Sequence, residues 1–132
     1  MSYLFHAASA LAVFLHVLFF AMESLWWTRP AIRKVFGQTA EQAETTRVLA
    51  YNQGFYNLFL ATGAAWGQFA QALDVSMGPP VAGRAVSTVT LGTMVGAALV
   101  LLQSKPGSLR GALLQGVPPL VALAALAAMV AS

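Results

Sequence analysis

The sequence predicts an all-α integral membrane protein, four transmembrane helices in an up-down-up-down bundle with both termini outside. Three observations predict it. Of the 132 residues 58% are hydrophobic and only 8% charged, far from a soluble average. Four apolar segments, at about residues 4–27, 48–70, 86–102 and 112–131, each approach the roughly 20 residues that a helix needs to cross about 30 Å. Arg29, Arg33, Lys34 and Arg47 lie between the first two segments and Lys105 and Arg110 between the last two, whereas the opposite side holds only Arg84. Residues 1–132 then form one four-helix domain with nothing left for a soluble one. A transmembrane barrel would need alternating segments of about 10 residues and more turns.

Segment one lacks the basic start of a secretory signal, its apolar run is too long, and Glu23, Trp26 and Trp27 stand where a small-residue cleavage site belongs. It reads as a retained span anchored by Trp26 and Trp27, with Tyr3 at its other end and the TRPAIRK segment snorkelling into headgroups. Thr39-Ala-Glu-Gln42 has the form of a capping box, so the second helix is expected to start near Ala40 and project before it enters lipid. Glu41, Glu44 and Arg47 then belong to a solvated helix end.

Segment two carries Tyr51, Asn52, Gln53, Tyr56 and Asn57 within seven residues, where lipid offers polar groups no partner. At about 100° per residue Asn52, Tyr56 and Gly63 share one meridian and Gln53, Asn57, Leu60 and Gly67 the adjoining flank. This face is expected to be the inner wall. The turn from residue 74 to 84, with Gly78, Pro79, Pro80 and Gly83, breaks the chain. Thr88, Gly92 and Gly96 in segment three echo the Gly63-x-x-x-Gly67 spacing, which predicts close packing between these spans or a homo-oligomer through Gly63, Gly67, Gly92 and Gly96. In segment four Pro118 and Pro119 deprive the carbonyls of Leu114 and Gln115 of helical partners, and a kink is expected there.

His16 and Glu23 are seven residues apart, hence within about 20° on one helix face and roughly 10 Å apart along it. Antiparallel pairing at matched depth brings Glu23 to Asn52, Gln53 or Tyr56, and His16 to Asn57 or Leu60. A carboxylate inside a span costs about 2.5 to 3.5 kcal/mol on insertion scales, and an ionisable group there marks a candidate site. Interhelical glue, typically worth about 0.6 kcal/mol per bond, accounts for Asn57 or Tyr51 taken alone, but glue needs no carboxylate. Glu23 and His16 are therefore the candidate catalytic residues, with Asn52, Gln53, Tyr56 and Asn57 binding ligand; His6 reads as interfacial and Trp66 as packing.

Cysteine is absent, which removes disulfides and thiolate chemistry. No metal is expected, because one His and one Glu at seven-residue spacing cannot share an ion on a straight helix. No cofactor is expected either: haem through His16 would require a second subunit or five-coordinate iron. There is no phosphate loop, dinucleotide fingerprint or serine with a base at helical spacing, so nucleotide and hydrolase chemistry are disfavoured. The net charge of +3 sits at membrane edges and does not suggest nucleic acid.

The pattern LHVLFFAMESLWW followed by RKVFGQTAEQAETTRVLAYNQGFYNLFLATGAAWG resembles a family of small bacterial four-span membrane proteins known as a domain of unknown function. Its most specific part is LAxNQGxYNxFLA, here Leu49 to Ala61, preceded by the His16 and Glu23 pair. The resemblance implies the four-helix membrane fold and draws attention to His16, Glu23, Asn52, Gln53, Gly54, Tyr56 and Asn57. It implies no established activity.

The expectation is thus a protein of the bacterial cytoplasmic membrane, surrounded by lipid, whose polar site near the cytoplasmic side binds a small lipophilic molecule. Acid–base work of the isomerase kind fits the same inventory, as does binding alone. Two alternatives stay open: an oligomeric transporter or channel for a proton or small solute, and a structural helix-packing module.

Overall fold

The computed structural model describes residues 1–74 and 81–131, and every regular element among them is helical. In chain order these are α1 (Ser2–Phe20), which runs on through a π-helical turn at Ala21–Leu25, then α2 (Pro30–Phe36), α3 (Ala40–Thr45), α4 (Arg47–Asp74), α5 (Val81–Ser104), a 3-10 turn at Pro106–Ser108, and α6 (Leu109–Ala131). The breaker containing Gly78, Pro79 and Pro80 lies outside the described residues.

Three helices, Ser2–Leu25, Val81–Ser104 and Leu109–Ala131, are long and apolar enough to cross a membrane. The 28-residue α4 has the length but carries Asn52, Gln53, Asn57, Gln68 and Gln71, and it is not one of the three. Each of the four long helices packs against two others: α1 on α4 and α6, α5 on α4 and α6. At their centre Phe5, Ala8, Ala12, Ala64, Leu91, Met94, Ala122, Ala125 and Leu126 form one buried cluster. Most of these side chains are short, so the helices meet through close backbone approach rather than large interlocking side chains.

The inner face of α4 differs from the one expected. Its buried residues are Ala50, Gly54, Asn57, Ala61, Ala64, Gly67, Ala70 and Gln71, which, Ala70 apart, form a seam spaced by threes and fours. Asn52 and Tyr56 stand two residues to either side of Gly54, about 200° around the helix, and both are exposed, Tyr56 to 64%. The polar meridian therefore faces outward and the small-residue seam inward, because only the seam lets a neighbouring backbone come close.

In α5 the inward residues are Gly83, Ser87, Leu91, Met94 and Ala98. Gly67 meets this face: a Cβ there would lie 2.5 Å from Ser87 Oγ and 2.9 Å from Ser87 N. Gln71 Nε2 ties the contact, donating to Ser87 Oγ at 3.0 Å and Gly67 O at 3.2 Å. Gly63 likewise faces Thr90, whereas Gly92 and Gly96 have open space where a Cβ would stand. The two glycine stripes thus do not face each other.

The capping box is present: Thr39 Oγ1 accepts from Gln42 N at 3.1 Å and Gln42 Oε1 accepts from Thr39 N at 2.9 Å. The helix it starts is nevertheless short. Thr46 breaks it at φ −94° and ψ 2°, its hydroxyl donating to Gln42 O at 2.7 Å and accepting from Trp27 Nε1 at 3.2 Å. A further helix, α2, occupies the segment read as snorkelling; Pro30 starts it and Gly37, at φ 66° and ψ 40°, stops it. In α6 the helix continues through Pro118 and Pro119, both buried.

Candidate functional site

The end of α1 does not finish as a plain α-helix. From Ala21 to Leu25 it widens into a π turn, with Trp26 N donating to Ala21 O at 3.0 Å, an irregularity often found at functional sites. This turn presents Met22 inward and brings Glu23 and Ser24 against α4. Gly54 makes the approach possible, since a Cβ on it would collide with Ser24 Oγ and stand 3.0 Å from Ser24 N and 3.1 Å from Phe20 O. Ser24 Oγ then donates to Tyr51 O at 2.8 Å.

Glu23 reaches past this contact to Asn57, whose Nδ2 donates to Glu23 Oε2 at 2.7 Å. Asn57 is only 4% exposed. A hydrogen bond from a buried amide fixes the carboxyl group. Among the described residues Glu23 Oε1 has no hydrogen-bond partner. Glu23 lines a cleft of about 500 Å³, together with Ser24, Trp27, Thr28, Arg47 and Tyr51. Trp27 is held by its bond to Thr46 and by Phe36, ring centroids 4.8 Å apart. Tyr51 leans tilted against Phe55, which meets Phe20 edge-on. Arg47 pairs with Glu44 at 3.1 Å on the exposed side.

The predicted partners are rearranged. Glu23 meets Asn57, not Asn52, Gln53 or Tyr56, all three of which are exposed and absent from the cleft. Asn57, expected level with His16, instead meets Glu23, so α4 differs from the expected pairing in depth as well as in rotation, with Ser24 level with Tyr51 and Gly54. His16 does not line the cleft. It is fully buried, with Nδ1 donating to Ala12 O at 2.9 Å and its ring set edge-on to Phe19, and its Nε2 has no partner. That bond makes Nε2 the bare acceptor nitrogen of the ring.

Sequence reasoning missed Ser24, Trp27, Thr28 and Arg47 as cleft residues, and set Tyr51 aside. The signal that could have found them is the small-residue seam Ala50, Gly54, Ala61, Ala64, which orients α4 and hence names what its first turns present to α1. Two further polar contacts stand nearer the other ends of α1 and α4: His6 Nδ1 with Gln68 Oε1 at 3.4 Å, and Gln71 with Ser87. Among the described residues no three His, Cys, Asp or Glu side chains gather as a metal site would require.

A single fixed carboxyl with one free oxygen, walled by two aromatic rings and a hydroxyl, is equipped to bind a polar group and to exchange one proton with it. In comparison with known proteins, the family described as "Protein of unknown function (DUF1304)" matches residues 10–127. No curated protein and no solved structure matches.

Proposed function

The chain belongs to the DUF1304 family, whose description assigns no activity, and from that premise we propose that it binds the polar end of a small lipophilic molecule in the cleft between α1 and α4. One observation carries the reading: the 2.7 Å bond from the buried Asn57 amide holds Glu23 while leaving Oε1 unpaired beside a cleft of about 500 Å³. Oε1 is not sealed from the cleft, so a molecule there can reach it. Trp27 and Tyr51 supply apolar walls with polar edges, suited to a molecule that is part greasy and part hydrogen-bonding.

In this reading α4 is the fourth span of an up-down-up-down bundle in a bacterial cytoplasmic membrane. Both termini lie outside and the cleft lies on the basic, cytoplasmic side. Asn57 orients Glu23, Ser24 fixes the wall through Tyr51 O, and Glu23 is the proton acceptor or donor should the bound molecule be isomerised. Asn52, Gln53 and Tyr56 contact surroundings rather than ligand, and His16 takes no step.

Native mass spectrometry of protein purified in mild detergent tests the proposal. A co-purifying small molecule retained by wild type and by Asn52→Ala, and lost from Glu23→Gln and Asn57→Ala, is the expected result. Retention by all four, or by none, overturns it. A second reading, passage of a proton or small solute, is supported by one observation. Ser9 Oγ and His16 Nε2 are buried without partners, and Ser9, His16 and Glu23 recur at seven-residue spacing along α1. Flux into proteoliposomes, compared for wild type and Glu23→Gln, separates it from the first.

A further inference from the structure

We propose that the face built by the end of α2 and the turn between α5 and α6 holds the phosphate of an anionic phospholipid, with Arg33, Lys34 and Lys105 as its ligands. This site is separate from the Glu23 cleft and does not depend on what the cleft binds.

Three cations belong to this one helix end. Arg33 and Lys34 form the last turn of α2, whose end is closed by Gly37 N on Lys34 O and Gln38 N on Arg33 O. The Phe36 carbonyl is left over, and Lys105 Nζ, from the turn after α5, donates to it at 3.3 Å. That single bond, spanning 69 residues of sequence, seats a third positive charge on the same helix end as the other two. Lys105 spends one of its three donors on a neutral acceptor, so its charge is not balanced.

Among the described residues no acid balances it. The chain has four Asp and Glu residues. Glu44 pairs with Arg47, Glu23 is held by Asn57, Glu41 sits in the first turn of α3, and Asp74 closes the far end of α4. Among the described residues the Arg47 and Glu44 pair is the one salt bridge, so Arg33, Lys34 and Lys105 have no carboxylate partner. The compensating anion comes from outside the chain.

The surroundings identify it as a lipid. Trp26 and Trp27 lie just before α2, with Arg29 over the Trp26 ring at 5.5 Å and Trp27 against Phe36, the arrangement of an interfacial belt. Lys105 directly follows α5, one of the membrane-length helices, so the cations stand at headgroup height. Val35, next to Lys34 on α2, is exposed to 68%, apolar surface beside the charges that a free phosphate ion would leave bare. Arg33 Nε is turned inward and buried, and its two terminal nitrogens are not, a pose that offers the guanidinium end to an acceptor.

The test is native mass spectrometry of the full chain with phosphatidylglycerol and phosphatidylcholine added at equal concentration. Phosphatidylglycerol is expected to be retained preferentially. Lys105→Gln is expected to weaken that retention about fivefold and Arg33→Gln with Lys105→Gln about twenty-five-fold, as for about 1 kcal/mol per cation near an anionic surface. Arg84→Gln, at the opposite end of α5, is expected to change nothing. Equal retention of the two lipids by wild type overturns the proposal without any variant, and so does an equal loss in Arg84→Gln. Displacement of the lipid by millimolar inorganic phosphate would show a free-anion site and overturns the lipid assignment.

Discussion

Gly54→Ala is expected to force α1 and α4 apart, and the geometry sets the size of the effect. The added methyl would overlap Ser24 Oγ and sit 3.0 Å from Ser24 N and 3.1 Å from Phe20 O, so two of its three neighbours are backbone and cannot rotate away. Ser24 Oγ is itself tied to Tyr51 O at 2.8 Å, and moving it forfeits a hydrogen bond worth about 1 kcal/mol. Overpacking of this kind costs about 1 to 3 kcal/mol, and the better helix propensity of Ala returns about 0.5 to 1. The expected net loss is about 1 to 3 kcal/mol, read by denaturant unfolding in detergent. Gly92→Ala is the matched control, because nothing stands within 4 Å of its added Cβ and it should be neutral or slightly stabilising. Ser24→Ala removes the atom that is struck, so combining it with Gly54→Ala should recover about 1 kcal/mol of coupling. Equal stability of Gly54→Ala and Gly92→Ala, or no recovery in the double variant, would refute the close approach on which the cleft is built.

Asn57→Leu should cost about 1 to 3 kcal/mol by stranding Glu23 Oε2, and less in a Glu23→Gln background; a double-mutant cycle with no coupling would mean that the bond is not made. Asn52→Ala and Tyr56→Phe, both at exposed positions, should shift unfolding by no more than about 0.5 kcal/mol. Thr39→Ala removes half of the capping box and should destabilise α3 by about 1 kcal/mol, visible as faster hydrogen exchange at amides 40–45 while α4 is unchanged.

Composition and local chemistry are legible in the chain before it folds. Apolar length marks α1, α5 and α6 as membrane-length helices, and Thr39 with Gln42 marks a helix start, because these depend on residues within a turn or two of each other. The seven-residue spacing of His16 and Glu23 puts both on one face only of a straight helix, and Glu23 falls within the π turn. Rotation about the helix axis is another matter. Asn52, Gln53 and Tyr56 looked inward when polarity alone was weighed, yet what orients α4 is how near another backbone can come, and that favours Gly54, Ala61 and Ala64. Only the packed structure decided that Asn57 holds Glu23, that Thr46 separates α3 from α4, and that Lys105 joins α2. Each of these is a contact between segments far apart in sequence, and its energy exists only once both backbones are in place.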